Sequence, residues 1–291
     1  MGRTDAGRFN RRSLARGVVG SVGGVSMAVA GDRWESPCGR MILHCGRWQE
    51  QLAYVTECDA CITDPPYSER THLGHDAAVG MVNAGTWSRS SGKKDRRRQR
   101  SEIVYSRMDR ESITCFVDAW ARRNCGWFAV FSDSVLTEPY RETFESPGIG
   151  LTGFHPLPCV VPGMSVRLCG DGPSSWATYL NVARPKNLSK WGTLRGAYHG
   201  GQGERAHIGG KPMWLMRQIV CDYSRPGDLI ADPFAGSGTT LLAAAIEGRR
   251  AIGAECDPNT YDLAVKRLSK GYTPRLIPDA LPKPHQGDLG L

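Results

Sequence analysis

The stretch that most constrains this chain runs from 229 to 268. LIAD, a short apolar run ending in an acid, passes through the glycine loop PFAGSG into TTLLAAAIEG. RAIGAE and PNTYDLAVKRLSKG then follow. This reads as strand, loop, helix, strand, helix: a crossover unit whose two strands are apolar on both faces and so lie parallel inside a covered sheet. The same alternation runs upstream. MILHC (41–45), DACIT (59–63), WFAVF (127–131), the region of FHPLPCVV, and WATYLNVA (176–183) read as strands. QEQLAYV reads as a helical turn, and 110–123, 135–144 and 211–223 as helices, the first with Asp109 as cap and Ile113, Phe116, Val117 and Trp120 at helical spacing. The pattern predicts a doubly wound, mostly parallel α/β sheet, in which ligands lie at the carboxyl ends of the strands.

Two strand ends carry chemistry. CITDPPY (61–67) runs straight into consecutive prolines, which donate no backbone hydrogen bonds and fix φ, so the ladder stops and a stiff loop begins. That loop presents the Asp64 carboxylate, the Pro65 carbonyl, Pro66 and the Tyr67 ring within four residues. Acceptors beside a stacking surface suit a flat ligand carrying an amino group. In DPFAGSGTT (232–240), Gly236 and Gly238 let backbone approach a ligand closely. Gly238 is followed by Thr239 and Thr240 rather than by Lys-Ser/Thr, which disfavours a triphosphate-binding P-loop. The next strand ends in Glu255, placed to accept hydrogen bonds from a ribose diol. Loop plus acid implies a ribose-bearing cofactor.

Lys and Arg outnumber Asp and Glu by 37 to 29, a formal net charge of +8 that makes polyanions plausible partners. Ten scattered cysteines in a chain this long suit a reducing compartment. Cys58 and Cys61 form a CxxC, but Cys61 falls within a strand and no second close pair follows, so no metal site is assigned. Residues 1–40 read as a disordered extension, or as an overlong start with Met27 or Met41 as the first residue. NRRSLAR followed by a glycine-rich apolar stretch and AVA also carries features of a twin-arginine export signal. With no membrane-spanning run, the expectation is a cytoplasmic protein. The single domain should then cover 41–291, with a basic insertion at about 68–107 that includes KKDRRRQR (93–100).

DPPY at 64–67, DPFAGSGTT at 232–240 and IGAE at 252–255 together resemble the amino-group DNA methyltransferases. The target loop precedes the glycine loop, as in the permuted beta subgroup. The resemblance covers roughly 41–268 and implies a circularly permuted, seven-stranded Rossmann-like methyltransferase sheet. It implies S-adenosylmethionine as cofactor, held by Asp232, Pro233, Phe234, Gly236, Ser237, Gly238, Thr239 and Glu255. HIGGKP (207–212) resembles the family's motif before the glycine loop, which adds Lys211 and a helix N-terminus for the cofactor's methionine carboxylate. Cys45-Gly46 stands where the family often has Gly-Asp. The substrate implied is DNA with one base flipped out, stacked on Tyr67 and methylated at adenine N6, or cytosine N4 as the alternative, with Asp64 and Pro65 accepting the amino group. A catalytically weak DNA-binding relative is the reading from another class. Target recognition is expected from the basic insertion and about 164–207. The oligomeric state, possibly a dimer, is left open.

Overall fold

The computed structural model describes residues 27–69, 71, 107–163, 175–188, 191–203 and 210–274. Its sheet contains β1 (Arg33–Glu35), β2 (Met41–Cys45), β3 (Cys58–Thr63), β4 (Asn124–Ser132), β5 (Leu151–Gly153), β6 (Leu157–Val160), β7 (Ala177–Pro185), β8 (Tyr198–His199), β9 (Leu229–Asp232) and β10 (Arg250–Glu255). The spatial order is β1-β2-β10-β9-β3-β4-β7-β6-β8, with β5 also paired to β7. Neighbours from β2 to β4 run parallel, and β7 is antiparallel to β4 and β6. The seven-stranded frame expected from sequence is thus β2-β10-β9-β3-β4-β7-β6, and three strands of two or three residues extend its edges.

Side chains alternate between two cores along the central strands, as the pleat requires. Ala60 and Ile62 of β3, with Trp127, Ala129 and Phe131 of β4, face one side. There they meet helices Met213–Tyr223 (α4), Thr239–Ile246 (α5) and Pro258–Leu268 (α6). Cys61, Phe128 and Val130 face the other, against Trp48–Gln51 (α1), Arg110–Ala121 (α2) and Thr137–Glu145 (α3). The cap on α2 is as expected: Asp109 accepts from the Ser112 N–H at 2.8 Å, and Ile113, Phe116, Val117 and Trp120 are buried. α6 opens on Pro258 with Asp257 as cap, the pairing that suits a helix start.

Two sequence expectations need adjustment, and a third is met. The fold begins upstream of Met41, because β1 pairs antiparallel with β2 and the Ala28 N–H reaches Asp262 at 3.4 Å. The alternating apolar and charged residues of RWE are too few to announce a strand, and pairing with β2 creates it. The stretch 164–207 is described at 175–188 and 191–203, which supply β7 and β8, so the expected target-recognition segment is partly sheet. Finally, the CxxC is built into β3: both cysteines are buried, and Cys58 Sγ lies 3.7 Å from Asn124 Oδ1. The basic run at 93–100 lies outside the described residues. No described helix is long and apolar enough to cross a membrane.

Candidate active site

The two chemically loaded strand ends are neighbours. β3 and β9 pair in parallel with Cys61 opposite Ala231, which brings Thr63 and Asp232 side by side at their carboxyl ends. Thr63 Oγ1 donates to Asp232 Oδ1 at 2.5 Å, and the Phe234 N–H lies 3.3 Å from the hydroxyl and 3.2 Å from the carboxylate. The DPPY loop and the glycine loop are therefore tied together one residue before Asp64. Asp232 is only 1% exposed, and burial pushes its carboxyl up to about 7, against the lowering effect of hydrogen bonds from Thr63, Thr240 and Phe234. Its side chain braces the two loops from within.

Gly236 has φ of 52° and Gly238, which caps α5, has φ of 75°. A Cβ on Gly238 would sit 3.1 Å from Leu268, whereas a Cβ on Gly236 would meet nothing within 4 Å. Backbone at Gly236 is therefore bare towards open space, the condition for a ligand to pass closely. The loop also rests directly on β10, since a Cβ on Gly253 would fall 2.9 Å from Ala235 Cβ and 3.0 Å from the Asp232 carbonyl. Of the residues expected to hold the cofactor, Phe234, Gly236 and Glu255 are half-buried; Lys211, Asp232, Pro233, Ser237, Gly238 and Thr239 are buried. Phe234 packs edge-on to Phe116 at 5.5 Å. Ser237 and Thr239 are held from behind by Arg267 of α6, whose guanidinium donates to the Ser237 carbonyl at 3.0 Å and to Thr239 Oγ1 at 2.8 Å. Glu255 Oε1 accepts the Asp257 N–H at 2.8 Å, and burial raises its carboxyl above the ordinary value. The Gly46 N–H donates to the Glu255 carbonyl at 2.8 Å, so the turn after β2 is tied to the end of β10.

In the DPPY loop, Asp64 is half-buried and Pro65 buried. Lys211 forms an ion pair with Asp64 Oδ2, and its ammonium donates to the Tyr67 hydroxyl at 2.7 Å. Lys211, expected to hold the cofactor's carboxylate, has its charge engaged with the DPPY loop here. Asp64 Oδ1 is buried and meets no hydrogen-bond partner among the described residues. Burial, then the Asp64 carboxylate, holds the Tyr67 hydroxyl well above 10. The loop is latched at its far end. Asp133, just past β4, accepts from the Ser68 N–H at 3.1 Å and from the Ser68 and Thr71 hydroxyls at 2.5 Å, while the Tyr67 carbonyl accepts the Met108 N–H at 3.2 Å.

Asp133 and Arg267 brace these loops and were missed from the sequence. A buried strand ending in Ser-Asp beside a loop rich in hydroxyls was the available signal for the first. For Arg267, a basic last turn of a helix was the only sign.

Comparison with known proteins finds DNA methyltransferases similar to parts of this chain. A family model described as DNA methylase matches residues 176–266. The type II methyltransferase M.HinfI of Haemophilus influenzae is 40% identical over 67 residues, 23% of this chain and 19% of that protein. M.HindIII of the same species is 44% identical over 62 residues, 21% and 20%. The matched stretch thus spans about a fifth of the length of these curated relatives. Among solved structures, the M1.HpyAVI–SAM complex aligns over 78% of this chain and 99% of its own at a TM-score of 0.54 and 18% identity. The cytosine-N4-specific PvuII DNA methyltransferase aligns over 81% and 95% at 0.51 and 13%. The expected resemblance to the amino DNA methyltransferases is matched over this part of the chain, and the solved structures show the expected Rossmann-like methyltransferase fold.

Proposed function

We propose that this protein transfers a methyl group from S-adenosylmethionine to the exocyclic amino group of a base in DNA, with adenine N6 as the target. The observation that carries this reading is Asp64 Oδ1, a buried carboxylate oxygen with no donor among the described residues, one residue past the tie between the target and glycine loops. A buried acceptor left unmatched costs free energy, and an amino group is the complement that would satisfy it. The DPPY sequence, which in the resembled subgroup leans towards adenine, supplies the choice of adenine over cytosine.

The residues present fit the cofactor. Bare backbone at Gly236 gives it room, the Phe234 ring offers an apolar wall, and Glu255 stands at the end of the adjacent strand to accept from a ribose diol. S-adenosylmethionine, when bound, supplies an electrophilic methyl on a cationic sulfur, and transfer leaves that sulfur as a neutral thioether. The chain's own groups do the rest. An exocyclic base nitrogen is a weak nucleophile because its lone pair is delocalised into the ring. Asp64 Oδ1 and the Pro65 carbonyl each accept one N–H, which favours a more tetrahedral nitrogen with its lone pair directed at the methyl. The lone pair forms the new N–C bond, and one amine proton leaves by way of Asp64 Oδ1 to water. The target amine is inaccessible within stacked duplex, so the base is flipped out, and Tyr67 supplies the ring to stack on it. The basic segment at 93–100 contributes backbone affinity.

Two carbonyl-type acceptors recognise an –NH2 group and not the ring that bears it, so cytosine N4 meets the same pair. The test is transfer of labelled methyl to several unmethylated DNAs followed by nucleoside analysis. N6-methyladenine is expected. N4-methylcytosine alone would replace the adenine assignment, and no incorporation with cofactor binding intact would favour a DNA-binding relative without activity.

A further inference from the structure

We propose that Lys211 is a positioning residue for Asp64: by pinning Oδ2 it leaves Oδ1 as the one oxygen presented to the incoming amine. The proposal rests on the methyl-transfer reading and deepens it. The Lys211 side chain is 4% exposed, and Asp64 is its only carboxylate ion-pair partner among the described residues. A lysine ammonium this deeply buried is tolerated only when paired and hydrogen-bonded. The pairing is reinforced on its other faces by the Tyr67 hydroxyl, by the Phe131 ring at 4.6 Å and by the Tyr67 ring at 5.1 Å. Pro212 fixes the backbone immediately after it as the N-cap of α4, so the cation is delivered from a rigid element.

Two consequences follow for chemistry. A carboxylate held at one oxygen cannot rotate freely, so Oδ1 keeps a fixed direction towards the amine. The cation also occupies Oδ2 alone, so Oδ1 stays open to accept from the amine as charge develops on the nitrogen. A lysine that held the cofactor's carboxylate would act on cofactor affinity instead. The two roles separate experimentally.

The role of Lys211 is read from the orientation of the Asp64 carboxylate. Lys211→Met should free that carboxylate to turn, so a crystal structure of the variant should show Oδ1 redirected or in more than one orientation, where the wild-type protein shows one. Single-turnover transfer to DNA should fall on the order of 100-fold, with S-adenosylmethionine affinity kept within about threefold. Lys211→Arg, which retains a charged donor, should restore the single orientation and most of the rate. If Lys211→Met does not fold, the shorter Lys211→Gln carries the same measurements. An unchanged Asp64 orientation in Lys211→Met, with cofactor affinity falling in step with the rate, would overturn the proposal while leaving methyl transfer intact. A wild-type protein that transfers no methyl would instead overturn the functional reading, and the crystal structures would still decide the pairing.

Discussion

Asparagine at position 232 should uncouple folding stability from pH. Asp232 is 1% exposed, and its carboxyl is held at about 7 rather than the ordinary 3.8. That difference makes its ionisation inside the protein costlier than in the unfolded chain by on the order of 4 kcal/mol. The folded value lies above the unfolded one, so the contribution is fully present below about pH 4 and is lost as pH rises through about 7. Asp232→Asn retains a carbonyl for the Thr63 hydroxyl and the Phe234 N–H, the two donors to Oδ1, while removing the ionisation. Relative to wild type, the variant should therefore gain stability steadily between pH 4 and pH 8, by on the order of 4 kcal/mol in total. Urea unfolding followed by tryptophan fluorescence at a series of pH values measures this, provided the slope with denaturant is the same for both proteins. Parallel stability curves for the two proteins across that range would show that Asp232 titrates like a solvated aspartate, and the buried tie between the loops would be refuted.

Gly236→Val puts a β-branched residue at φ of 52° and fills the space where the cofactor is proposed to pass. It should cost about 1–3 kcal/mol of stability and abolish calorimetrically detectable S-adenosylmethionine binding in the folded protein; retained binding would place the cofactor elsewhere. Asp133→Ala leaves the Ser68 N–H and two hydroxyls without their acceptor. It should speed backbone hydrogen exchange at Ser68 and weaken DNA binding with cofactor affinity little changed, and it should lower stability by about 1–3 kcal/mol.

Much of this architecture was legible because it rests on local rules. Buried strands such as LIAD and RAIGAE are apolar on both faces, the Asp109 cap precedes a helical stripe, and a double proline must end a strand. DPPY and the glycine loop could be paired because each ends a strand of the same parallel sheet. What was not legible depends on which side chains meet across long separations. Lys211 lies 147 residues from Asp64, and Thr63 lies 169 from Asp232. Periodicity reports which face of an element is buried and is silent on which polar groups share that burial. The resemblance placed Lys211 near the site but not its pairing with Asp64, since nothing in HIGGKP tells whether its ammonium turns towards the glycine loop or towards DPPY. Arg267 was hidden for the opposite reason. A basic residue in a last helical turn is ordinary by the helix-dipole rule, and only packing shows it braced against Ser237 and Thr239.

Single-turnover methyl transfer by Asp64→Asn, with saturating DNA and S-adenosylmethionine, tests the central claim most directly. Asparagine preserves the shape of the side chain and removes the charge that is proposed to act on the amino group as methyl is transferred. Wild type should produce N6-methyladenine, and the variant should bind cofactor and DNA yet transfer more slowly by about 100- to 10,000-fold. Transfer by Asp64→Asn at a rate near that of wild type would mean that the DPPY loop ends a strand and does no more, contradicting the assignment of Asp64 as the acceptor for the reacting amine.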